Sequence, residues 1–129
     1  MDIAGPEYWQ AVVRSANTDP ALGAKAMYLE ALTLTFQIGE TLRVIEFHRG
    51  RVDLLSGAPL RGTTLRITGP PDEWRRLMSG EIPYAMAVNV MHGRLHLQGD
   101  IIAAAWATPA LWELFRTAVR VYEKDVTHG

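Results

Sequence analysis

The sequence predicts a two-layer α+β domain with five strands. Two observations carry that prediction. Residues 32–38, 63–68 and 94–98 alternate with period two, aliphatic on one side and Thr, Arg, His or Gln on the other. The segments around them space apolar residues as helices do, and several open on proline or an acidic cap. A sheet with one polar face must carry its helices on the other. At 129 residues, one domain spanning 1–129 is expected.

The elements follow in order. "PEYWQAVVRSA" is a helix: Pro6 suits the first turn, and Trp9, Val12, Val13 and Ala16 form one stripe. Asp19 and Pro20 supply a cap and a start for a short second helix. "LTLTFQI" is the first strand, with Leu32, Leu34, Phe36 and Ile38 pointing one way. Gly39-Glu40 turns it into "TLRVIEFH". There the apolar parity switches between Val44 and Ile45, which requires a bulge or burial on both faces. Arg49-Gly50 turns the chain again, into a third strand through Val52 and Leu54. "SGAPLRG" is a loop and "TTLRIT" the fourth strand.

"GPPDEWRRLMSG" is a helix. Prolines open it, Asp72 and Glu73 sit at the positive end of its dipole, and Gly80 closes it. A short helix follows around Pro83, then "GRLHLQ" as the fifth strand. Asp100 caps a helix over Ile101–Trp106, and Thr108-Pro109 restarts it as an extended C-terminal helix over 109–126.

Composition narrows the function. The chain has no cysteine, which excludes disulfides, thiolate metal sites and cysteine nucleophiles. The net charge of −1 and the lack of a basic run argue against nucleic acid as a partner. No apolar run is long enough to span a bilayer, and the first ten residues lack the basic start and apolar run of a signal peptide. A cytoplasmic protein without a membrane segment is expected.

The run "TLRITGPPDEWRRLMSGE", followed at a fixed distance by "MHGRLHLQGDI" before a closing helix, resembles the sterol carrier protein type 2 family. The resemblance covers roughly residues 8 to 107. It implies a five-stranded mixed sheet with helices on one face. It also implies an apolar tunnel between the layers for a fatty acid, acyl-CoA, sterol or other lipid. Two features depart from the family. The chain ends in "VTHG", not in the peroxisomal tripeptide of eukaryotic members, and its last helix is longer than the family's core.

No catalytic constellation is legible. His92 and His96 stand four apart, but on a loop end and a strand, where that spacing does not converge on a metal. Ser56 lacks a nucleophile elbow, and the glycines do not form a phosphate-binding fingerprint. Asp100 is read as a helix cap before a general base. Arg75 and Arg76 are read as a solvated helix face before a clamp for a carboxylate or phosphate.

Apolar residues are therefore the candidate ligand-binding site. Trp74, Leu77 and Met78 come from one helix, Ile82, Met86, Val90 and Met91 from the next segment, and Ile101, Ile102, Ala105 and Trp106 from a third. Methionine adapts its shape to variable ligands. Each ligand methylene buried contributes ~0.8 kcal/mol, so no polar contact is required. The expected function is non-enzymatic binding or transfer of a hydrophobic small molecule or lipid, with no metal or cofactor. The alternative is an interaction or accessory module whose helix from Ala110 to Val126 pairs with a second copy, as a homodimer, or with an enzyme acting on a hydrophobic substrate. A third reading is a small enzyme using Asp100, His92 or Tyr84 as acid or base.

Overall fold

The computed structural model describes residues 2–56, 65–89, 91 and 93–128, with side chains through Asp125. The elements run α1 (Pro6–Ala16), α2 (Pro20–Ala26), β1 (Leu32–Ile38), β2 (Thr41–His48), β3 (Arg51–Leu55), β4 (Leu65–Gly69), α3 (Pro71–Met78), α4 (Tyr84–Ala87), β5 (His96–Gly99) and α5 (Ile101–His128). The sheet order is β3-β2-β1-β4-β5. β1 pairs parallel with β4, and the other pairs are antiparallel. The fold is thus two-layer α+β, a mixed five-stranded sheet with helices on one side.

Both predicted hairpins form. Ile38 pairs with Thr41 across Gly39-Glu40, and Gly39 takes the positive φ of 63° that such a loop requires. His48 pairs with Arg51 across Arg49-Gly50, where both residues have positive φ. The β1–β2 register is unbroken, so the parity switch in β2 is not a bulge. Ile45 and Phe47 share the helix-covered face with Leu34 and Leu32; Val44 is buried on the opposite one. That opposite face is less wet than its polar residues imply. Thr33 and Thr35 are buried, because β1 is the central strand and longer side chains such as Glu46 and Arg66 stand beside these short ones.

An aromatic cluster forms the middle of the core. Phe36 of β1 stacks on Trp9 of α1 at 4.8 Å and meets Trp74 of α3 edge-on at 5.4 Å. Phe115 of α5 lies 5.7 Å from Phe36. The polar ends of the rings are satisfied: Trp9 Nε1 donates to Ile3 O, Trp74 Nε1 to Gln37 O and the Tyr8 hydroxyl to Ala118 O. Among the described residues, no buried side-chain N or O lacks a partner.

Polar contacts fasten the edges. The Asn17 amide both donates to Val52 O and accepts from Val52 N, closing edge strand β3 against the end of α1. Lys25 of α2 lies 2.7 Å from the buried carboxylate of Glu113 on α5.

The C-terminal helix corrects an expectation. The predicted restart at Thr108-Pro109 is absent, and α5 is one helix of 28 residues with Pro109 inside it. Proline removes a donor within the helix, yet the inward residues Ala107, Ala110, Leu111 and Leu114 are all buried on either side of it. Tertiary packing outweighs the local break, and the Thr108 hydroxyl bonds back to Ala104 O at 2.8 Å.

Phe36→Ala is expected to lower the unfolding free energy by about 3–5 kcal/mol in urea titrations. A loss below about 1 kcal/mol would place the centre of the core elsewhere.

Candidate functional site

Helix α3 turns Trp74, Leu77 and Met78 inward at helical spacing, and all three are buried. Its end is a Schellman motif: Gly80 N donates to Leu77 O, Glu81 N donates to Arg76 O, and Gly80 has a φ of 80°. That reversal aims Ile82 and Pro83 back along α5 and starts α4 at Tyr84. Tyr84 stacks on Phe115, with centroids 5.0 Å apart and planes 14° apart.

The predicted helix around Pro83 is only four residues long. It stops because the Ala87 carbonyl accepts from Leu95 N, taking the chain into β5. Gly93 passes so close that a Cβ there would collide with Ala87 O. The first glycine of "GRLHLQGD" is a packing requirement.

Glu73 locks this corner. It stands at the positive end of the α3 dipole, as expected, but it is fully buried. Its carboxylate accepts from Arg76 Nη1 at 2.8 Å and from the Arg94 amide at 2.9 Å. Arg76 also lies 3.7 Å from Glu81, so it is tied down and not a free solvated cation. Next to it, Arg94 bonds to Asp72 at 2.7 Å and holds that carboxyl below its ordinary range.

Between α3, α4 and α5 lies a cavity of about 530 Å³. Leu77, Ile82, Pro83, Tyr84 and Ala85 form one wall; Trp112, Phe115 and Val119 form the other. Gly80, Arg116, Arg120 and Glu123 complete the lining, and all four are exposed. Arg116 lies 3.5 Å from Glu113, and Arg120 3.2 Å from Asp19.

The nominated apolar residues separate into groups. Leu77 and Ile82 line the cavity. Trp74 and Met78 sit in the core, Trp74 within the aromatic cluster. Met86, Met91, Ile101, Ile102, Ala105 and Trp106 are exposed. Val90 lies outside the described residues, as does His92. Phe115 and Val119, four apart on an apolar stripe of the last helix, also line the cavity and were not among the nominated residues. Nothing local says which side of that stripe meets a neighbour.

Acid–base candidates are few. Asp100 caps α5, accepting from Ile102 N at 2.9 Å and Ala103 N at 3.2 Å. Burial pushes the Tyr84 phenol up to about 12. Burial and then Tyr122 push Tyr8 up further. His48 Nδ1 rests 2.6 Å from Glu30 O. Among the described residues, no cluster of three His, Asp or Glu stands ready for a metal, and no helix is long and apolar enough to cross a membrane.

Neither a family model nor a curated protein matches this sequence significantly. Solved structures do resemble its fold. A crystal structure of sterol carrier protein 2 superposes with a TM-score of 0.74 at 21% identity, covering 91% of this chain and 97% of that one. The solution structure of a conserved hypothetical protein from Thermus thermophilus gives 0.70 at 22%, covering 94% and 90%. The ubiquinone synthesis protein UbiJ-SCP2 gives 0.57 at 17%, covering 88% and 86%. The chain has the sterol carrier protein 2 fold.

Tyr84 makes stability depend on alkaline pH. Unfolded tyrosine ionises near 10, while the folded phenol holds its proton to about 12. Stability from this group is therefore complete below pH 10 and lost as pH rises from 10 to 12. Urea midpoints should fall across that window, and less steeply in Tyr84→Phe. Parallel curves for the two proteins would contradict the assignment.

Proposed function

We propose that this chain binds a hydrophobic ligand, without converting it chemically, in the cavity between α3, α4 and α5. One observation carries the reading: about 530 Å³ of space walled by Leu77, Ile82, Tyr84, Trp112, Phe115 and Val119. That volume falls within the range of small-molecule sites, and such sites are mostly apolar with few polar groups. Ten buried methylenes would contribute roughly 8 kcal/mol before association costs. The fold shared with proteins called sterol carriers supports a lipid as the ligand class.

Leu77 and Ile82 contact the ligand in this proposal, and Trp74 and Met78 back the wall. The sequence expectation of a tunnel between sheet and helices is thereby moved. Over β1 the aromatic cluster occupies the space, and the lining of the cavity comes from α3 through α4 and from α5. Tyr84 serves as a surface for the ligand, since a phenol with its proton held to about pH 12 is a poor base at neutral pH.

Two measurements test this. Organic extraction of the purified protein followed by mass spectrometry should release a lipid, and a fluorescent fatty acid should bind saturably. Ala85→Trp, at an exposed lining position, should weaken that binding at least about tenfold, or 1.4 kcal/mol, with unchanged melting. Absence of both lipid and saturable binding, or equal affinity in Ala85→Trp, would remove the cavity from the function.

A further inference from the structure

Helix α5 changes chemistry along its outward side. Between Asp100 and Glu113 the chain has no ionisable side chain. Within that stretch Ala107, Ala110 and Leu111 face the core. Ile101, Ile102 and Trp106 instead stand 83%, 71% and 67% exposed, and Trp112 is 49% exposed. Ala105 and Pro109 are exposed beside them. At 100° per residue, positions 101, 105, 109, 112 and 116 share one face. That face is apolar down to Trp112 and turns charged at Arg116, Arg120 and Glu123.

Solution alone does not account for such a strip. The four large side chains together expose on the order of 600 Å², at the upper end of what monomeric proteins leave uncovered. A second copy is a poor match. A stable interface buries roughly 800 Å² on each partner, more than the strip offers even if covered completely. A lipid surface needs no shape complement. Indole rings favour the boundary between acyl chains and headgroups, and isoleucine partitions below it.

Charge narrows the surface further. The strip holds no Lys or Arg to seek anionic headgroups, and Arg116 below it already neighbours Glu113. Trp112 belongs both to the strip and to the cavity wall, so the apolar surface is continuous with the cavity. We propose that the outward face of α5 from Ile101 to Trp112 docks onto a zwitterionic lipid surface, with the Trp112 edge of the cavity turned toward it. The exposed face carries this inference independently of what the cavity binds.

The test uses the whole chain and phosphatidylcholine vesicles. The protein should co-sediment with them, and raising the salt concentration should change binding less than twofold. Bromine-labelled acyl chains should quench its tryptophan fluorescence, reporting on Trp106 and Trp112 because Trp9 and Trp74 are buried. Ile101→Gln combined with Trp106→Gln should reduce partitioning at least tenfold with unchanged melting, since both positions are exposed. The double variant should bind the fluorescent fatty acid as the unaltered chain does, since neither residue lines the cavity, which separates this surface from the proposed site. Three results would overturn the inference. One is no vesicle binding, or binding confined to anionic vesicles and lost in salt. Another is undiminished binding by the double variant. The third is a lipid-free dimer that the double variant abolishes, which would assign the strip to a second copy.

Discussion

The stacking of Phe36 against Trp9 is the contact around which the molecule is arranged. Phe36 lies on the central strand, so anything packed on it is packed on the middle of the sheet. Trp9 brings α1 there, Trp74 brings α3 and Phe115 brings α5. Rings of this size bury much area and prefer definite distances and tilts, so the cluster sets helix positions as well as holding them. The pairs Lys25–Glu113 and Arg76–Glu73, each with a buried carboxylate and a half-exposed cation, secure the periphery of an arrangement the rings define.

The cavity follows from that arrangement. Phe115 has two neighbours of different kinds, Phe36 below and Tyr84 beside it. α4 is one turn long and is held at its ends, by the Schellman reversal at Gly80 and by the Ala87–Leu95 bond. So short an element cannot cover the length of α5, and space remains along Trp112, Phe115 and Val119. The walls of that space are mostly apolar, and its charged side chains stand at the exposed margin.

Much of the architecture was legible because its causes are local. Alternation placed β1 and both hairpins, and glycine at positive φ marked their turns. Asp19 and Asp100 were read as caps and accept the amides a cap should. The resemblance in "EWRRLMSGE" and "GRLHLQGD" pointed to the correct fold, and Gly80 and Gly93 have visible steric reasons within those motifs. Glu73 stands in the first turn of α3 as expected, but its burial was not legible, because burial of a charge depends on partners far along the chain. One partner, Arg76, is a turn away, but the other is the backbone of residue 94.

What the amino-acid sequence determined by itself is most of the elements, their order and the inward stripes of α1, β1 and α3, since period, capping and turn chemistry act over a few residues. Tertiary structure alone decided that α5 continues through Pro109, that the space lies along α3, α4 and α5, and that Ile101 and Trp106 face outward. An apolar side chain states only that burial is favourable. Whether a neighbour arrives to bury it depends on how long α4 is and where the Phe36 cluster seats each helix, which is long-range geometry.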